Sequence, residues 1–168
     1  MNDKLEMIYK RRSVRSYADT PLNGEELGII QKAARLSASA MNEQPWFFVI
    51  IENQEIIHEI ESLQEPAGNC YGAPALIIAF AKKDAIAPLM DTTLAMANMI
   101  YAAEAIGLSS CIIYFVKNIF NNPSYAKLRE AVGVPEGYVC IGSMVVGHGL
   151  EEKTEAEGRK ENIFSIII

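Results

Sequence analysis

The sequence predicts one domain of mixed helices and strands, and three features of its 168 residues predict it. Half the residues are hydrophobic and about a fifth are charged, the balance of an ordinary globular protein able to bury a core of its own. Trp46-Phe-Phe-Val-Ile-Ile51 is a continuous apolar run of β-branched and aromatic residues, and Ala75 to Ala81 is a second such run. Asp91 to Ile106, rich in Ala and Met and closed by Gly107, has the length and composition of a helix instead.

Taken in order, residues 4–11 place Leu5, Ile8 and Tyr9 at helical spacing, and the basic run Arg11 to Arg15 leaves that helix as an irregular segment. Thr20-Pro21-Leu22-Asn23 marks a turn. Leu27, Ile30 and Ala34 then predict a helix over 24–36 that delivers a loop at 37–44. The run 46–51 predicts a strand buried on both faces. Residues 54–64 carry Ile56, Ile57, Ile60 and Leu63 on one helical face, 68–74 break the pattern, and 75–81 form a second buried strand. The helix at 91–106 has too few charges for a solvated surface, so either this chain or a second copy must cover several of its faces. Residues 109–116 predict a strand, 123–131 a short helix and 138–146 a fourth strand. An acidic segment follows Gly149, and Ile163-Phe-Ser-Ile-Ile-Ile168 ends the chain as an apolar tail that needs a partner surface. There are no internal repeats, and residues 1–168 read as a single domain.

Fifteen basic residues against 21 acidic ones give a net charge of −6, which argues against a general nucleic-acid binder. Any anion site must be local. Cys70, Cys111 and Cys140 are odd in number and far apart, which fits reduced, mostly buried thiols better than a disulfide framework or a zinc pattern. No metal site is expected. The N-terminus opens with charged residues, and no apolar run approaches the ~18 residues of a membrane span, so the expected location is the cytoplasm, away from membranes. His58 reads as a surface residue, His148 as structural or solvent-facing, and Cys111 has no sequence cue for a lowered pKa.

Two motifs carry the chemistry. Arg11-Arg12-Ser13-Val14-Arg15 suits a phosphate, because guanidinium forks match its oxygens and a hydroxyl adds a neutral donor. Ser37-Ala38-Ser39-Ala40-Met41-Asn42-Glu43-Gln44-Pro45-Trp46 reads as a cofactor-contacting loop, although Ser39, Asn42 and Gln44 also suit plain turn hydrogen bonds. Gly72-Ala73-Pro74, Ala102 to Leu108 with Ser110-Cys111 behind it, and Val132 to Tyr138 follow in order. As an ordered set these segments resemble the nitroreductase family.

That resemblance implies an α+β fold with a central, mostly antiparallel sheet flanked by helices. It also implies an intertwined homodimer with two flavin mononucleotide (FMN) sites at its interface, the C-terminal tail crossing to the partner's sheet. By position, Arg11 and Ser13 would bind the phosphate and ribityl chain, with Arg12 assisting. Arg15 would approach the pyrimidine end of the flavin, where a fixed cation stabilises the charge that reduction places there. Ser39, Asn42 and Gln44 would reach across from the other subunit. Ile113 and Tyr114 would pass the N5 edge, and Arg159 and Lys160 would complete the phosphate clamp. No side chain is assigned as catalytic, since the chemistry resides on flavin N5.

The implied activity is NAD(P)H-dependent reduction of nitroaromatics, quinones or related electrophiles by a ping-pong cycle. With no Gly-x-Gly-x-x-Gly fingerprint and no phosphate loop, the nicotinamide would dock transiently. Three departures from the family pattern stand out. The segment between Ala81 and Asp91 is short, predicting an open or differently shaped pocket. Tyr114-Phe115 is bulky, and Gly147-His148-Gly149 replaces the usual Gly-Tyr-Pro ahead of an acidic stretch whose charges either disfavour anionic substrates or lie away from the site. They keep two other readings open: a flavin-binding sensor or storage module with little turnover, and a specialised reductive dehalogenase-like member.

Overall fold

The computed structural model describes residues 3–66 and 68–167. Six helices and four strands alternate irregularly along it. They are α1 (Asp3–Lys10), α2 (Gly24–Arg35), β1 (Trp46–Ile51), α3 (Gln54–Ser62), β2 (Ala75–Lys82), α4 (Pro88–Ala105), β3 (Ser109–Ile113), α5 (Phe115–Asn121), α6 (Ala126–Ala131) and β4 (Tyr138–Gly147). The strands form one sheet in the order β1-β2-β4-β3, every neighbouring pair antiparallel, so the fold is α+β.

Alternation along the strands builds a core on each face. On one side Leu76, Ile78 and Phe80 of β2 pack with Ile57 and Ile60 of α3 and with Val116, Ile119 and Phe120 of α5. On the other, Ala75 and Ile77 meet Ile30 and Ala34 of α2 and Met99 and Ala103 of α4. Central β2 is therefore buried along its length apart from Lys82. The run 46–51 is not doubly buried as its composition suggests. As an outer strand β1 has only one neighbour, and five of its six residues are only partly covered.

Local signals set the helix ends. Asn23 caps α2 with a reciprocal box: its Oδ1 accepts the Glu25 and Glu26 N–H groups, both at 3.0 Å, and Glu26 Oε2 accepts the Asn23 N–H at 2.8 Å. Pro88 starts α4 nearly a turn earlier than the sequence pattern, a position that needs no N–H. Gly107, at φ +83°, closes that helix as predicted, with the Leu108 N–H returning to the Ala103 carbonyl at 2.9 Å.

The third strand ends at Ile113 rather than 116. Val116, Ile119 and Phe120 have the spacing of one helical face, so tertiary burial converts the end of that apolar run into α5. The helix expected over 123–131 is a 3₁₀ turn, Pro123–Tyr125, followed by α6. The inner side of α4 is covered by this chain, whereas Leu89, Met90 and Leu94 stay exposed. In the tail, Ile163, Phe164, Ile166 and Ile167 are exposed and join no strand, and Ile168 lies outside the described residues.

Candidate functional site

The basic segment is stitched along the free edge of β3. The Val14 N–H donates to the Ser110 carbonyl at 3.2 Å, and Ser13 and Ser110 form a parallel bridge. Tyr17 is buried, and its hydroxyl donates to the Val14 carbonyl at 2.7 Å, which folds the segment back on itself. Burial also raises the Tyr17 phenol well above its ordinary pKa, so it stays a neutral donor.

The chain leaving β4 closes the other side. Ala18 N–H meets the His148 carbonyl and Leu150 N–H meets the Ser16 carbonyl, each at 2.9 Å, and Glu151 Oε1 accepts the Arg15 N–H at 3.1 Å. Lys153 then pins this strap to α4, its Nζ lying 2.8 and 2.7 Å from the two carboxylate oxygens of Glu104.

A cavity of about 380 Å³ opens between segment and strap, lined by Arg11, Arg12, Ser13, Arg15, Glu151 and Arg159 among others. A second, of about 230 Å³, shares Arg11 and Ser13 and runs between β3 and α4 past Ile100, Tyr101 and Ile112. Together they form a cleft with a cationic end and a largely apolar end. Among the described residues none of the four arginines forms an ion pair with a carboxylate. Arg12 Nη1 is used by the carbonyls of Tyr9 and Arg11, while its buried Nε has no hydrogen-bond partner among the described residues. Unpaired guanidinium groups, a buried orphan N–H and an exposed serine hydroxyl form a donor set that fits a phosphate ester. Two of the acidic residues after Gly149, Glu151 and Glu152, do lie at this cleft, and Glu151 is engaged by the Arg15 backbone.

Not every anticipated residue gathers there. Lys160 does not line the cavity although Arg159 does. Ile113 is buried and Tyr114 is 80% exposed where β3 turns into α5. Ser39, Asn42 and Gln44 line neither cavity. In their own chain they make turn hydrogen bonds: Ser39 Oγ accepts the Gln44 N–H at 3.0 Å, and Gln44 Nε2 donates to Asn42 Oδ1 at 3.2 Å.

Sequence reasoning missed three supports. Ser143, fully buried on β4, donates to the Ile113 carbonyl at 2.7 Å and fixes the end of β3. Glu151 holds the Arg15 backbone, and Asp91 accepts the Ala40 N–H at 3.1 Å. No sequence spacing marks these partners, which lie 30, 136 and 51 residues apart. The cysteines fit their reading as free, buried thiols, and burial pushes the Cys111 thiol up, with Arg15 and Ser13 countering only part of the shift. His148 lies half-exposed with Nε2 3.6 Å from Glu26 Oε1, and His58 is exposed. Among the described residues no cluster of potential ligands could hold a metal, and no helix is long and apolar enough to cross a membrane.

Fold and cleft together define an α+β protein with a cationic groove at the edge of an antiparallel sheet. The sequence model of the nitroreductase family matches residues 8–69 and 61–148, and the chain belongs to that family. A putative NADH dehydrogenase/NAD(P)H nitroreductase of Archaeoglobus fulgidus is 32% identical over 167 residues, covering 95% of this chain and 94% of that one. An iodotyrosine deiodinase of Thermotoga neapolitana is 27% identical over 80% of this chain and 89% of its own. The crystal structure of a nitroreductase with bound FMN from Bacteroides fragilis superposes over 100% of both chains with a TM-score of 0.88 at 26% identity.

Proposed function

We propose that this protein is an FMN-dependent oxidoreductase that draws electrons from NADH or NADPH and delivers them to conjugated electrophiles such as nitroaromatics and quinones. The observation that carries this reading is the unpaired Arg11–Arg12–Ser13–Arg15 cradle on the edge of β3, in a chain that matches an FMN-bound nitroreductase from end to end. When bound, FMN supplies the redox chemistry, taking a hydride from the nicotinamide and passing electrons to an acceptor that occupies the same place in turn.

The chain's own residues hold and tune that group. Arg11, Ser13 and Arg159 hold the phosphate, Arg12 contributes its orphan Nε–H, and Lys160 adds charge from the neighbouring position. Arg15 supplies the cation that favours the reduced state. The end of β3, fixed by Ser143, presents the Ile113–Tyr114 backbone along the cleft.

Ser39, Asn42 and Gln44 serve the cleft of a second copy, which is why they line none in their own chain. The homodimer has support in the exposed Leu89, Met90 and Leu94 of α4, in the uncovered edge of β1 and in the exposed apolar tail. A groove of about 420 Å³ beside β1, lined by Trp46, Phe48, Ile50 and Met99, suits the partner's tail. Residues 1–168 act as one domain, and three free thiols suit a reducing compartment.

The test is an absorption spectrum of the purified protein before and after anaerobic NADH or NADPH. A bound flavin that bleaches supports the reading and names the donor. A flavin that stays oxidised with both points to the sensor or storage module. No flavin after reconstitution with excess FMN overturns the reading. A second reading, reductive dehalogenation of an iodinated aromatic, draws on the similarity to the iodotyrosine deiodinase. Iodide release by the reduced protein separates it from nitro or quinone reduction.

A further inference from the structure

Asp91 lies outside the cationic cleft, yet the fold hides it almost completely. It is 3% exposed, in the first turn of α4, and its Oδ2 accepts the Ala40 N–H at 3.1 Å. A carboxyl group withdrawn from water is unfavourable unless it is well bonded, so what it grips matters. It grips the root of the Ser39–Gln44 loop.

That loop is strained. Met41, Asn42 and Gln44 have φ values of 51°, 57° and 48°, in the left-handed region where side chains are disfavoured. Such residues persist only where surrounding bonds over-determine them. The Asn42 N–H to the Ser39 carbonyl, at 3.1 Å, and the Gln44 N–H to Ser39 Oγ, at 3.0 Å, tie the loop only to itself. Two carboxyl groups tie it to the segment around α4. Glu43 Oε2 accepts the Ile86 N–H at 2.8 Å in an exposed setting, and Asp91 accepts the Ala40 N–H where water has little access. Of the two, the buried bond is the one solvent cannot replace. Asn42 and Gln44 are left exposed on the outer side of the turn.

We propose that Asp91 is a positioning residue. It locks the Ser39–Gln44 loop in its left-handed turn, so that Asn42 and Gln44 stand preformed as contacts for the flavin held by a second copy of the chain. The proposal rests on the function put forward above and adds a residue 51 positions away in sequence from the loop residue it holds.

The experiment compares Asp91→Ala, which removes the acceptor, with Asp91→Asn, which keeps an oxygen at the same place. Three quantities are read: amide exchange at Ala40 to Gln44 in cofactor-free protein, the FMN dissociation constant from flavin fluorescence, and the thermal midpoint. The Ala variant should exchange the Ala40 amide about tenfold faster and bind FMN about tenfold more weakly, the worth of roughly one buried hydrogen bond. The Asn variant should return both to within about threefold of the parent. Rescue by Asn separates positioning from a general need for charge at α4.

Parental exchange at Ala40 in the Ala variant overturns the proposal, as does an Asn variant that matches Ala in FMN affinity while melting like the parent. If Asp91→Ala does not fold, Ala40→Pro removes the donor and leaves α4 intact; exchange at the Asn42 and Gln44 amides, each expected to speed up about tenfold, and FMN affinity then decide, and parental exchange at both overturns the proposal. Failure of the parent itself to bind FMN refutes the functional reading, whereas the exchange result judges the clamp alone.

Discussion

Replacing Gly149 by alanine should disturb the cleft although Gly149 does not itself line it. Gly149 forms an antiparallel bridge with Tyr17, and an added Cβ would lie 2.5 Å from Ser109 Oγ, 2.8 Å from Ser109 Cβ and 3.0 Å from Val14 Cγ1. Rotating the Ser109 hydroxyl relieves the first contact but not the second, because Cβ moves only with the backbone of β3. Val14 is 1% exposed and packed into the core cluster, which limits how far it can yield. Either β3 shifts or the basic segment lifts from it.

Overpacking of this kind costs about 1–3 kcal/mol. With a urea m-value near 2 kcal/mol per M, the midpoint should fall by about 1 M, and the thermal midpoint by roughly 4–8 °C. Because Val14 adjoins Ser13 and Arg15, FMN affinity should fall as well, by about fivefold if half that energy opposes the bound geometry. Urea denaturation followed by FMN titration measures both effects. A variant with parental midpoint and parental affinity would refute the argument that a missing side chain at 149 seats the basic segment.

Phe80→Ala removes a fully buried ring that packs edge-on against Phe120 at 5.6 Å and lies under the Arg129 guanidinium, and it should cost about 3–5 kcal/mol in chemical denaturation. Arg15→Ala should slow reduction of the flavin by NAD(P)H at least tenfold while leaving much of the phosphate anchoring intact, and stopped-flow traces equal to the parent's would remove Arg15 from its role. Burial pushes the thiols of Cys70 and Cys140 up to about 12, with Glu61 adding to the shift at Cys70. The folded state then binds more protons than the unfolded state above the ordinary thiol value of ~8.5, so the stability these thiols contribute is complete below that pH and is lost as pH rises toward 12. Denaturation midpoints from pH 8 to 11 should decline, and Cys140→Ala should flatten the decline. In the native protein at pH 8, the three buried thiols should react far more slowly with an alkylating reagent than in urea.

Strand and helix positions were legible wherever period and punctuation agreed, as in Asn23 before α2 or Gly107 after α4. The errors share one cause. Phe115-Val116 is apolar enough to extend β3, and only the three-dimensional placement of Val116, Ile119 and Phe120 against the sheet makes the segment helical. Likewise Trp46 to Ile51 has the composition of an interior strand, but composition carries no information on strand order. Within the candidate site, residue types revealed the arginines because charge next to a serine has a local meaning. Ser143, Glu151 and Asp91 act through backbone groups far away in sequence, and an acceptor for a distant N–H has no signature of its own.

Ser13 to Tyr17 also does something unrelated to binding. An outer strand such as β3 presents unpaired peptide groups that another polypeptide can template upon, and this segment is what blocks them, through Val14 N–H and Ser110. On the function proposed here, recognition of a ligand and protection from self-association fall on the same few residues. Selection for a new ligand at Arg11, Ser13 or Arg15 is consequently restricted to changes that keep the edge sealed, and variants that loosen the segment should be lost from the soluble pool before their altered binding can be of use.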